Sequence, residues 1–464
     1  MNNHCEKQHT VQNQLRNIKL VILALQIYCY APASSSTSEE SDRYVHFVTK
    51  YGAIRGRAKA VLGNREIVSF LGVRYAKPPV GELRFRPPEV PDEWTGTEDA
   101  LTLSRACYQP PDTTFPGFWG SEMWNANTPL DEDCLFLNIW APKGAKNATV
   151  LVWFFGGGFY SGSPSLGVYN GEGLAALGNV IVVNVNYRVG ALGFLYLDHP
   201  DVPGNQGLMD QQLALQWIQD NIAIFGGDKN QVTLFGESAG AASVMAHMVA
   251  PGSRNLFKRG ILQSGALQNP WAFDPPDRAL LKSKAFISNT GCRKTNMQET
   301  IECLIKLPAI EFKDKLWSHY EILYFMEFPI SVVSEDVNFF TNGDAIDALW
   351  NEDYKINDLI IGFMSDEGTF WMTYNFPSEF GKSKDGVINR LKFNELVNKS
   401  LDREPRVFQK AAAFHYSGLP NHLVVGGIQI RNSYSNALNQ LIGDYEFTCD
   451  ALWFAQRLVK KGAQ

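Results

Sequence analysis

Residues 232–244 read Val-Thr-Leu-Phe-Gly-Glu-Ser-Ala-Gly-Ala-Ala-Ser-Val, an apolar run that leads through a Gly-x-Ser-x-Gly turn into a second apolar pattern. This order predicts a buried strand, a tight turn and a helix. Glycines flank Ser238 because so tight a turn leaves no room for side chains on either side. The turn lifts the Ser238 hydroxyl out of the top of a sheet. We therefore interpret Ser238 as an exposed nucleophile and not as part of a structural turn.

A run of three glycines, Gly156-Gly157-Gly158, follows the apolar stretch 149–155. Glycines let bare backbone approach a substrate and aim N–H groups at developing negative charge. Alone, the run would also be typical of a flexible loop. Together with the serine turn, it predicts an oxyanion hole whose donors are the backbone N–H groups of Gly157, Gly158 and Ala239.

Short Val- and Ile-rich runs alternate with helical patterns over most of the chain. Residues 149–155, 180–185 and 232–235 have the pattern of buried strands, and residues 207–224 have apolar side chains at helical spacing. The alternation predicts an α/β fold with a mostly parallel central sheet and helices on both faces. No linker, repeat or charge block divides residues 44–464, so we expect one domain there.

Length and composition are those of a large globular domain. The chain has 464 residues, of which 45% are hydrophobic and 19% charged, with a formal net charge of −6. The charge argues against a nucleic-acid partner, which would require a basic surface. It is compatible with a cationic small molecule, although a charge of this size is also ordinary for such a chain.

The N-terminus has the features of a secretory signal peptide. Arg16 and Lys19 precede an apolar run over residues 20–30, and Ala31-Pro32-Ala33 supplies a small-residue cleavage pattern. We expect a signal peptide over residues 1–33 and a flexible lead-in over residues 34–43. The alternatives are a buried N-terminal helix or a short signal anchor. On the signal-peptide interpretation the protein is extracellular, and Asn147 and Asn398 begin glycosylation sequons.

Four stretches, one of which contains the serine turn, resemble the cholinesterase and type-B carboxylesterase family. They are Glu132–Asn138, Asn186–Phe194, Phe235–Val244 and Ile261–Gly265. The resemblance extends from about Tyr44 to the last residue. It implies an α/β-hydrolase fold and a serine hydrolase that cleaves choline esters such as acetylcholine through an acyl-enzyme. It implies neither a metal nor an organic cofactor.

The same resemblance implies roles for individual residues. Glu367, in Asp366-Glu367-Gly368, corresponds to the acidic member of the catalytic triad. Aromatic and acidic side chains correspond to the choline-binding and acyl-binding surfaces, since a quaternary ammonium is recognised by aromatic faces. The corresponding substrate-binding residues are Trp124, Tyr160, Tyr169, Glu237, Trp271, Phe328 and Phe370, and those of the rim are Asp112 and Trp317. Met326 takes the place of a second acyl-pocket phenylalanine, which would admit larger acyl groups.

The cysteines also follow the family pattern. The resemblance pairs Cys107 with Cys134 and Cys292 with Cys303. Cys449 corresponds to a cysteine whose partner lies further toward the C-terminus in the family, so we expect it to have no mate in this chain. Oligomer contacts and membrane tethers in the family usually lie in the C-terminal tail, so the resemblance implies either feature only through such a tail.

The catalytic histidine of the family comes after the segment that corresponds to residues 443–449, and the chain ends at Gln464 before that point. His247 is nine residues beyond Ser238 on the same helix, about 13 Å along its axis, and is too far away to act as the base. His415 and His422 occur before residues 443–449 and are out of order for the family. We expect an incomplete coding sequence, because Ser238 and Glu367 are intact; a short splice form and an inactive relative are the alternatives.

Two other functions compete with choline-ester hydrolysis. One is a broad-specificity carboxylesterase, which would not distinguish a choline ester from its neutral isostere. The other is a non-catalytic, neuroligin-like binding protein, which the absence of the histidine favours and the intact serine turn disfavours. A cell-surface location at synapses would accompany a choline-ester substrate.

Overall fold

The computed structural model describes residues 43–463, with gaps at 63–64, 356–357, 383, 419–421, 426–427 and 432–433. Nearly all of the expected signal peptide and lead-in therefore lies outside the described residues. Side chains between 419 and 433 are likewise outside the description, and His422 is among them.

A ten-stranded mixed sheet forms the centre of the protein. The strands of the described chain are β1 Arg43–Val48, β2 Ala53–Val61, β3 Arg65–Arg74, β4 Thr97–Asp99, β5 Phe136–Pro142, β6 Ala148–Phe154, β7 Ile181–Val185, β8 Tyr196–His199, β9 Val202–Pro203, β10 Gly227–Glu237, β11 Arg259–Gln263, β12 Phe273–Asp274, β13 Val332–Val333, β14 Asp358–Gly362, β15 His422–Val425 and β16 Ile428–Arg431. The order of strands in the central sheet is β1-β2-β3-β5-β7-β6-β10-β11-β14, with β4 paired to β2.

The sheet has an antiparallel half and a parallel half. Strands β1, β2, β3, β5 and β7 pair antiparallel in succession. From β7 through β6, β10 and β11 to β14 every pairing is parallel. The α/β class and the three predicted buried strands are confirmed, with β6 and β10 adjacent at the middle of the parallel half.

Helices pack around this sheet. They are Trp119–Glu122, Glu172–Gly178, Gly190–Phe194, Gln206–Asn221, Ala239–Val249, Pro276–Thr290, Met297–Lys306, Ala309–Asp314, Ala345–Trp350, Glu367–Asn375, Pro377–Phe380, Arg390–Ser400, Arg406–Ser417, Tyr434–Gly443 and Cys449–Lys460, with a π-helical turn at Asp444–Thr448. The described residues also form four 3-10 turns, Gly81–Leu83, Gly167–Tyr169, Ile222–Phe225 and Tyr320–Ile322. The helix predicted over 207–224 is confirmed as Gln206–Asn221, followed by one of these turns.

Burial explains why the central strands are so apolar. Every residue of β7 is buried, as are most residues of β6. The helix Ala239–Val249 that follows β10 is buried along its whole length. Because neither sheet face nor helix face contacts water there, the carboxyl ends of β6 and β10 are held rigidly. In open α/β sheets that edge is where ligands bind.

Two disulfides close loops among the described residues, Cys107–Cys134 and Cys292–Cys303. These are the pairs that the resemblance implies. Cys449 is also disulfide-bonded, so the expectation that it has no mate in this chain is wrong.

Within the described residues, no helix is both long enough and apolar enough to cross a membrane.

Candidate active site

Ser238 stands at the junction between β10 and the helix Ala239–Val249. Its backbone has φ 55° and ψ −121°, a left-handed conformation that is strained for a residue with a side chain. Its N–H donates to the Gln263 carbonyl at 2.8 Å, and its carbonyl accepts the Ala242 N–H at 3.0 Å. The strained serine is therefore fixed on both sides, as expected for a preorganised nucleophile.

The flanking glycines are required by the space available. A Cβ at Gly240 would lie 2.0 Å from the Phe154 carbonyl oxygen, and one at Gly236 would lie 2.4 Å from the Gly240 carbonyl oxygen. Neither backbone oxygen can move without disturbing the sheet. The local reason for the Gly-x-Ser-x-Gly pattern is thus that the start of the helix, at Gly240, lies against both the end of β6 and the end of β10.

The glycine loop lies directly beside the serine. A Cβ built on Gly156 would be 3.0 Å from the Cβ of Ser238. Gly157 and Gly158 adopt φ angles of 118° and 56°, which are available to glycine at little cost. These observations bring the proposed donors Gly157, Gly158 and Ala239 close to the nucleophile.

A buried glutamine holds the far end of this loop. The Gln109 side chain accepts the Gly162 N–H at 2.8 Å and donates to the Gly162 carbonyl at 2.8 Å. This double hydrogen bond ties residue 162 to the loop closed by Cys107–Cys134. The glycine loop is consequently anchored at both ends.

Glu367 is the first residue of the helix Glu367–Asn375, which follows β14 after a short turn. Its Oε1 accepts the Met364 N–H at 2.7 Å, which orients the carboxylate. The next residue, Gly368, packs so tightly that an added Cβ would lie 2.3 Å from the Asn439 carbonyl oxygen. Asn439 Nδ2 in turn donates to Asp366 at 2.8 Å, so the acidic turn is held from the helix Tyr434–Gly443.

Glu237 and Glu367 are close enough to influence each other. Burial, together with the negative charge of Glu367, raises the pKa of Glu237 to about 7. Glu237 directly precedes Ser238, so a titratable carboxyl lies next to the nucleophile. Near neutral pH this carboxyl is therefore neutral in part of the molecules and negatively charged in the rest.

Within the described residues, no side chain forms a hydrogen bond with the Ser238 hydroxyl. His247 is fully buried and is bonded at both ring nitrogens, to Ser253 Oγ at 2.8 Å and Gln211 Oε1 at 3.0 Å. Burial lowers the pKa of His247 to about 3. It is therefore a neutral structural histidine, as its distance along the helix predicts. His415 lies on the helix Arg406–Ser417 against Tyr416.

An aromatic surface extends from the serine toward Trp124. The Trp124 ring is 42% exposed, and its centroid lies 6.4 Å from that of Tyr169. The Tyr169 ring also packs against Trp153, with ring centroids 5.0 Å apart. Burial and the neighbouring Glu237 charge raise the pKa of Tyr169, which keeps this phenol neutral. An exposed indole therefore adjoins Tyr169, the phenol on which the Glu237 charge acts.

Asp112 connects this surface to the helix Glu367–Asn375. The Asp112 N–H donates to Asn125 Oδ1 at 2.6 Å, and Asn125 Nδ2 donates to the Asp112 carbonyl at 3.1 Å. The Asp112 carboxylate accepts a hydrogen bond from Tyr374. Tyr374 stacks on Phe370, with centroids 4.6 Å apart. Trp124 and Phe370 are thus linked through Asp112.

A second group of aromatic rings packs around Gly158. A Cβ on Gly158 would lie 2.8 Å from both the Phe328 and the Tyr160 rings. Trp271 meets Phe328 edge-on, with centroids 6.1 Å apart. Trp317, 38% exposed, packs edge-on against Tyr160 at 5.2 Å. Burial, with a smaller contribution from Asp112, raises the pKa of Tyr160 to about 12.

Several side chains of this region are not among the residues predicted from the sequence. Trp371 lies 6.0 Å from Phe328, and Phe447 lies 5.7 Å from Trp271. Tyr374 is the partner of Asp112, and Glu446 is a fully buried carboxyl next to Phe447. Trp371 and Tyr374 are one and four residues beyond Phe370. The i,i+4 spacing from Phe370 was a signal that could have identified Tyr374, whereas Trp371 has no such signal.

The two sequon asparagines are exposed. Asn147 lies directly before β6, and Asn398 lies on the helix Arg390–Ser400. Among the described residues, no group of three or more His, Cys, Asp or Glu side chains is placed to hold a metal ion.

Comparisons with known proteins give the family. Residues 44–464 match the model of the carboxylesterase family. Acetylcholinesterase 4 of Caenorhabditis briggsae is 46% identical over 440 residues, which is 95% of this chain and 71% of that protein. Cholinesterase of Mus musculus is 40% identical over 465 residues, 98% of this chain and 73% of that protein. Acetylcholinesterase of Bungarus fasciatus is 40% identical over 418 residues, 90% of this chain and 67% of that protein.

Proposed function

The chain belongs to the carboxylesterase family and is a serine hydrolase of carboxylic esters, and from that premise we propose that its substrates are choline esters. The observation that carries the proposal is the half-exposed Trp124 ring, which continues through Tyr169 toward the Glu237 carboxyl beside Ser238. A quaternary ammonium donates no hydrogen bond, so an aromatic face with a nearby carboxylate is the chemistry that recognises it.

The reaction follows from the positions of the nucleophile and the glycine loop. The Ser238 hydroxyl adds to the ester carbonyl and loses its proton to a base. The carbonyl oxygen becomes an oxyanion, which accepts hydrogen bonds from the N–H groups of Gly157, Gly158 and Ala239. Collapse of this intermediate releases choline, which takes the proton, and leaves an acyl-enzyme. Water then adds to the acyl-enzyme and returns Ser238 and the free acid.

The base in this scheme is an imidazole that lies between Ser238 and Glu367. Glu367 would accept a hydrogen bond from the imidazole and stabilise its protonated form. Its carboxylate is already oriented by the Met364 N–H. None of the described histidines occupies this position. The proposal therefore requires an imidazole in addition to them, and a test of activity is also a test of its presence.

The acyl group would lie against Trp271 and Phe328, two rings in contact with each other, of which Phe328 also approaches Gly158. Both rings are buried, with exposures of 2% and 5%. Met326 is buried as well and could yield to a larger acyl group more readily than a third ring. We expect acetyl and propionyl esters to be preferred over much longer ones.

The experiment compares acetylcholine with 3,3-dimethylbutyl acetate, its neutral isostere. Choline-ester hydrolysis predicts that kcat/KM is about tenfold or more higher for acetylcholine, since one cation–π contact contributes roughly 1–2 kcal/mol. Trp124→Ala should remove most of this difference through KM and leave the neutral ester little changed. Equal turnover of both esters in the parent would instead establish a broad carboxylesterase.

A serine-directed fluorophosphonate probe separates an inactive protein from an active one. We expect stoichiometric labelling of the parent and none of Ser238→Ala, with Ser264→Ala as a control that keeps labelling. Failure of the parent to react, with the fold intact by circular dichroism, would overturn the catalytic proposal in favour of a binding protein.

Secretion is the second part of the proposal. The leader over residues 1–33, the two described disulfides and the exposed Asn147 and Asn398 support it, because disulfides persist in oxidising compartments. Peptide mass spectrometry of the protein from its source should show a mature N-terminus near Ser34 and glycans at one or both asparagines. An intact N-terminus without glycans would contradict it.

A further inference from the structure

The inner wall of the acyl side is a short segment, residues 324–328, that contains a strained residue. Met326 adopts a φ of 54°, a left-handed conformation that L side chains rarely take. It is 5% exposed, as is Phe328 two residues later. A backbone conformation of this kind persists only where surrounding contacts determine it.

The residue before Met326 is held at both backbone groups by two consecutive side chains from another part of the fold. The Phe325 N–H donates to both carboxylate oxygens of Asp402, at 3.1 Å each. The Phe325 carbonyl accepts Nη2 of Arg403 at 2.9 Å. Asp402 and Arg403 follow the helix Arg390–Ser400, and they do not reach Ser238 themselves.

The same guanidinium also reaches the second wall of the acyl side. Arg403 Nη1 donates to the Pro270 carbonyl at 2.8 Å, and Pro270 directly precedes Trp271. One planar group therefore bridges the segment that carries Phe328 and the segment that carries Trp271. Because the two Nη atoms are a fixed distance apart, the bridge also fixes the separation of the two segments.

The other end of the wall is held independently. Lys282 is fully buried and donates from Nζ to the Phe328 carbonyl at 2.8 Å. It forms an ion pair with Asp274 and lies 3.7 Å from Glu327, whose carboxylate also pairs with Arg278. That end is fixed by buried charges, and the Tyr324 N–H also donates to Glu327 at 2.9 Å. The side chains that hold the backbone of Phe325, directly before Met326, are Asp402 and Arg403.

We propose that Arg403, supported by Asp402, is a positioning residue that sets the size of the acyl pocket. The proposal rests on the assignment of Trp271 and Phe328 to that pocket under the proposed function. Loss of the guanidinium would free two carbonyls and let Met326 leave its left-handed conformation. The wall would then move away from Trp271, and longer acyl groups would fit.

The structural half of the proposal is tested by hydrogen–deuterium exchange on the full chain. We expect uptake in residues 324–328 and 267–272 to rise about tenfold in Arg403→Gln and Arg403→Lys, since a lysine amine cannot bridge both carbonyls. Arg406→Gln is the matched control, because it removes an exposed arginine three residues away and should leave uptake unchanged. Unchanged uptake in both Arg403 variants would overturn the proposal.

The specificity half is tested with acetylthiocholine and butyrylthiocholine. The ratio of kcat/KM for the butyryl ester to that for the acetyl ester should rise about tenfold in both Arg403 variants and stay constant in Arg406→Gln. The affinity for tetramethylammonium, which reports on the Trp124 side, should not change. A general loss of activity with a constant acyl ratio would show a merely structural role and overturn the proposal.

Failure of the proposed function gives a different result. If the parent hydrolyses neither ester, choline-ester hydrolysis is disproved, whereas the exchange experiment still decides whether Arg403 holds the wall. Alkylboronic acids, which add to a serine hydroxyl without turnover, then replace the esters as probes. The affinity ratio of butylboronic to ethylboronic acid should rise in the Arg403 variants, and a constant ratio would overturn the proposal.

Discussion

The phenol of Tyr374 donates a hydrogen bond to Oδ2 of Asp112, across 262 positions of sequence. Asp112 belongs to the loop closed by Cys107–Cys134, and through Asn125 it holds the segment that carries Trp124. Tyr374 belongs to the helix that starts with Glu367. The contact therefore joins the proposed cation-binding loop to the element that supplies the proposed acidic residue of the triad.

Replacement of Tyr374 by phenylalanine should weaken binding of the cationic part of the substrate. The change removes a hydrogen bond to a charged group, for which a loss of about 1–2 kcal/mol is typical. We expect KM for acetylcholine to rise about five- to tenfold and KM for 3,3-dimethylbutyl acetate to change little. Tyr434→Phe is a suitable control, since Tyr434 packs against Phe393. An equal effect on both esters would argue against a role in cation recognition.

Glu237 should make cation binding depend on pH near neutrality. Its pKa is raised to about 7 by burial and by Glu367, so the carboxyl is neutral below that pH and negatively charged above it. The affinity for tetramethylammonium should therefore increase by about five- to tenfold between pH 6 and pH 8, as expected for a charge interaction of roughly 1 kcal/mol. Isothermal titration calorimetry at several pH values measures this change.

Glu237→Gln is the matched variant for that measurement, because the amide has nearly the same shape and does not ionise. Its affinity for tetramethylammonium should be low and independent of pH. The neutral alcohol 3,3-dimethylbutanol should bind both proteins without pH dependence. If Glu237→Gln kept the full pH dependence, another group would be responsible.

The sequence predicted the parts of this protein that local pattern determines. The Gly-x-Ser-x-Gly pattern predicted a strand, a tight turn and a helix, and the structure has all three because glycine is the only residue that fits at positions 236 and 240. The apolar runs within β6, β7 and β10 were predictable for a different reason. A nearly continuous hydrophobic run is typical of a strand that is buried on both faces.

Contacts between distant segments were not predictable from pattern. Nothing in the sequence near Asp112 indicates that Tyr374 is its partner, and nothing near Arg403 indicates the carbonyls of Pro270 and Phe325. The antiparallel pairing of β1, β2, β3 and β5 also depends on long-range register, which alternation of hydrophobic residues leaves open.

Gly158 should tolerate no side chain if its N–H serves the oxyanion. An alanine Cβ would lie 2.8 Å from the rings of Phe328 and Tyr160, and the φ of 56° is unfavourable for alanine. We expect Gly158→Ala to lower kcat/KM by about 100- to 1000-fold, the usual effect of losing one oxyanion donor. Gly173→Ala is the control, since no atom lies within 4 Å of its added Cβ. Retained activity in Gly158→Ala would remove Gly158 from the oxyanion hole.

Glu446 should make the stability of the fold depend on pH. The residue lies in the π-helical turn Asp444–Thr448 and is fully buried, and among the described residues neither carboxylate oxygen accepts a hydrogen bond. Burial is the largest cause that raises its pKa to about 8, with Arg403 opposing the shift and Asp450 adding to it. The folded protein therefore holds this proton more tightly than the unfolded chain, whose glutamate has a pKa near 4.5.

The stabilisation from that proton is complete below about pH 4.5 and is lost as the pH rises to about 8. Glu446→Gln cannot ionise, so its free energy of unfolding should increase relative to that of the parent by roughly a few kcal/mol between pH 5 and pH 9. Urea unfolding at both pH values measures this difference. Glu302→Gln, which changes an exposed carboxyl, should show no such trend. A constant difference between Glu446→Gln and the parent at both pH values would mean that Glu446 is charged in the folded protein throughout this range.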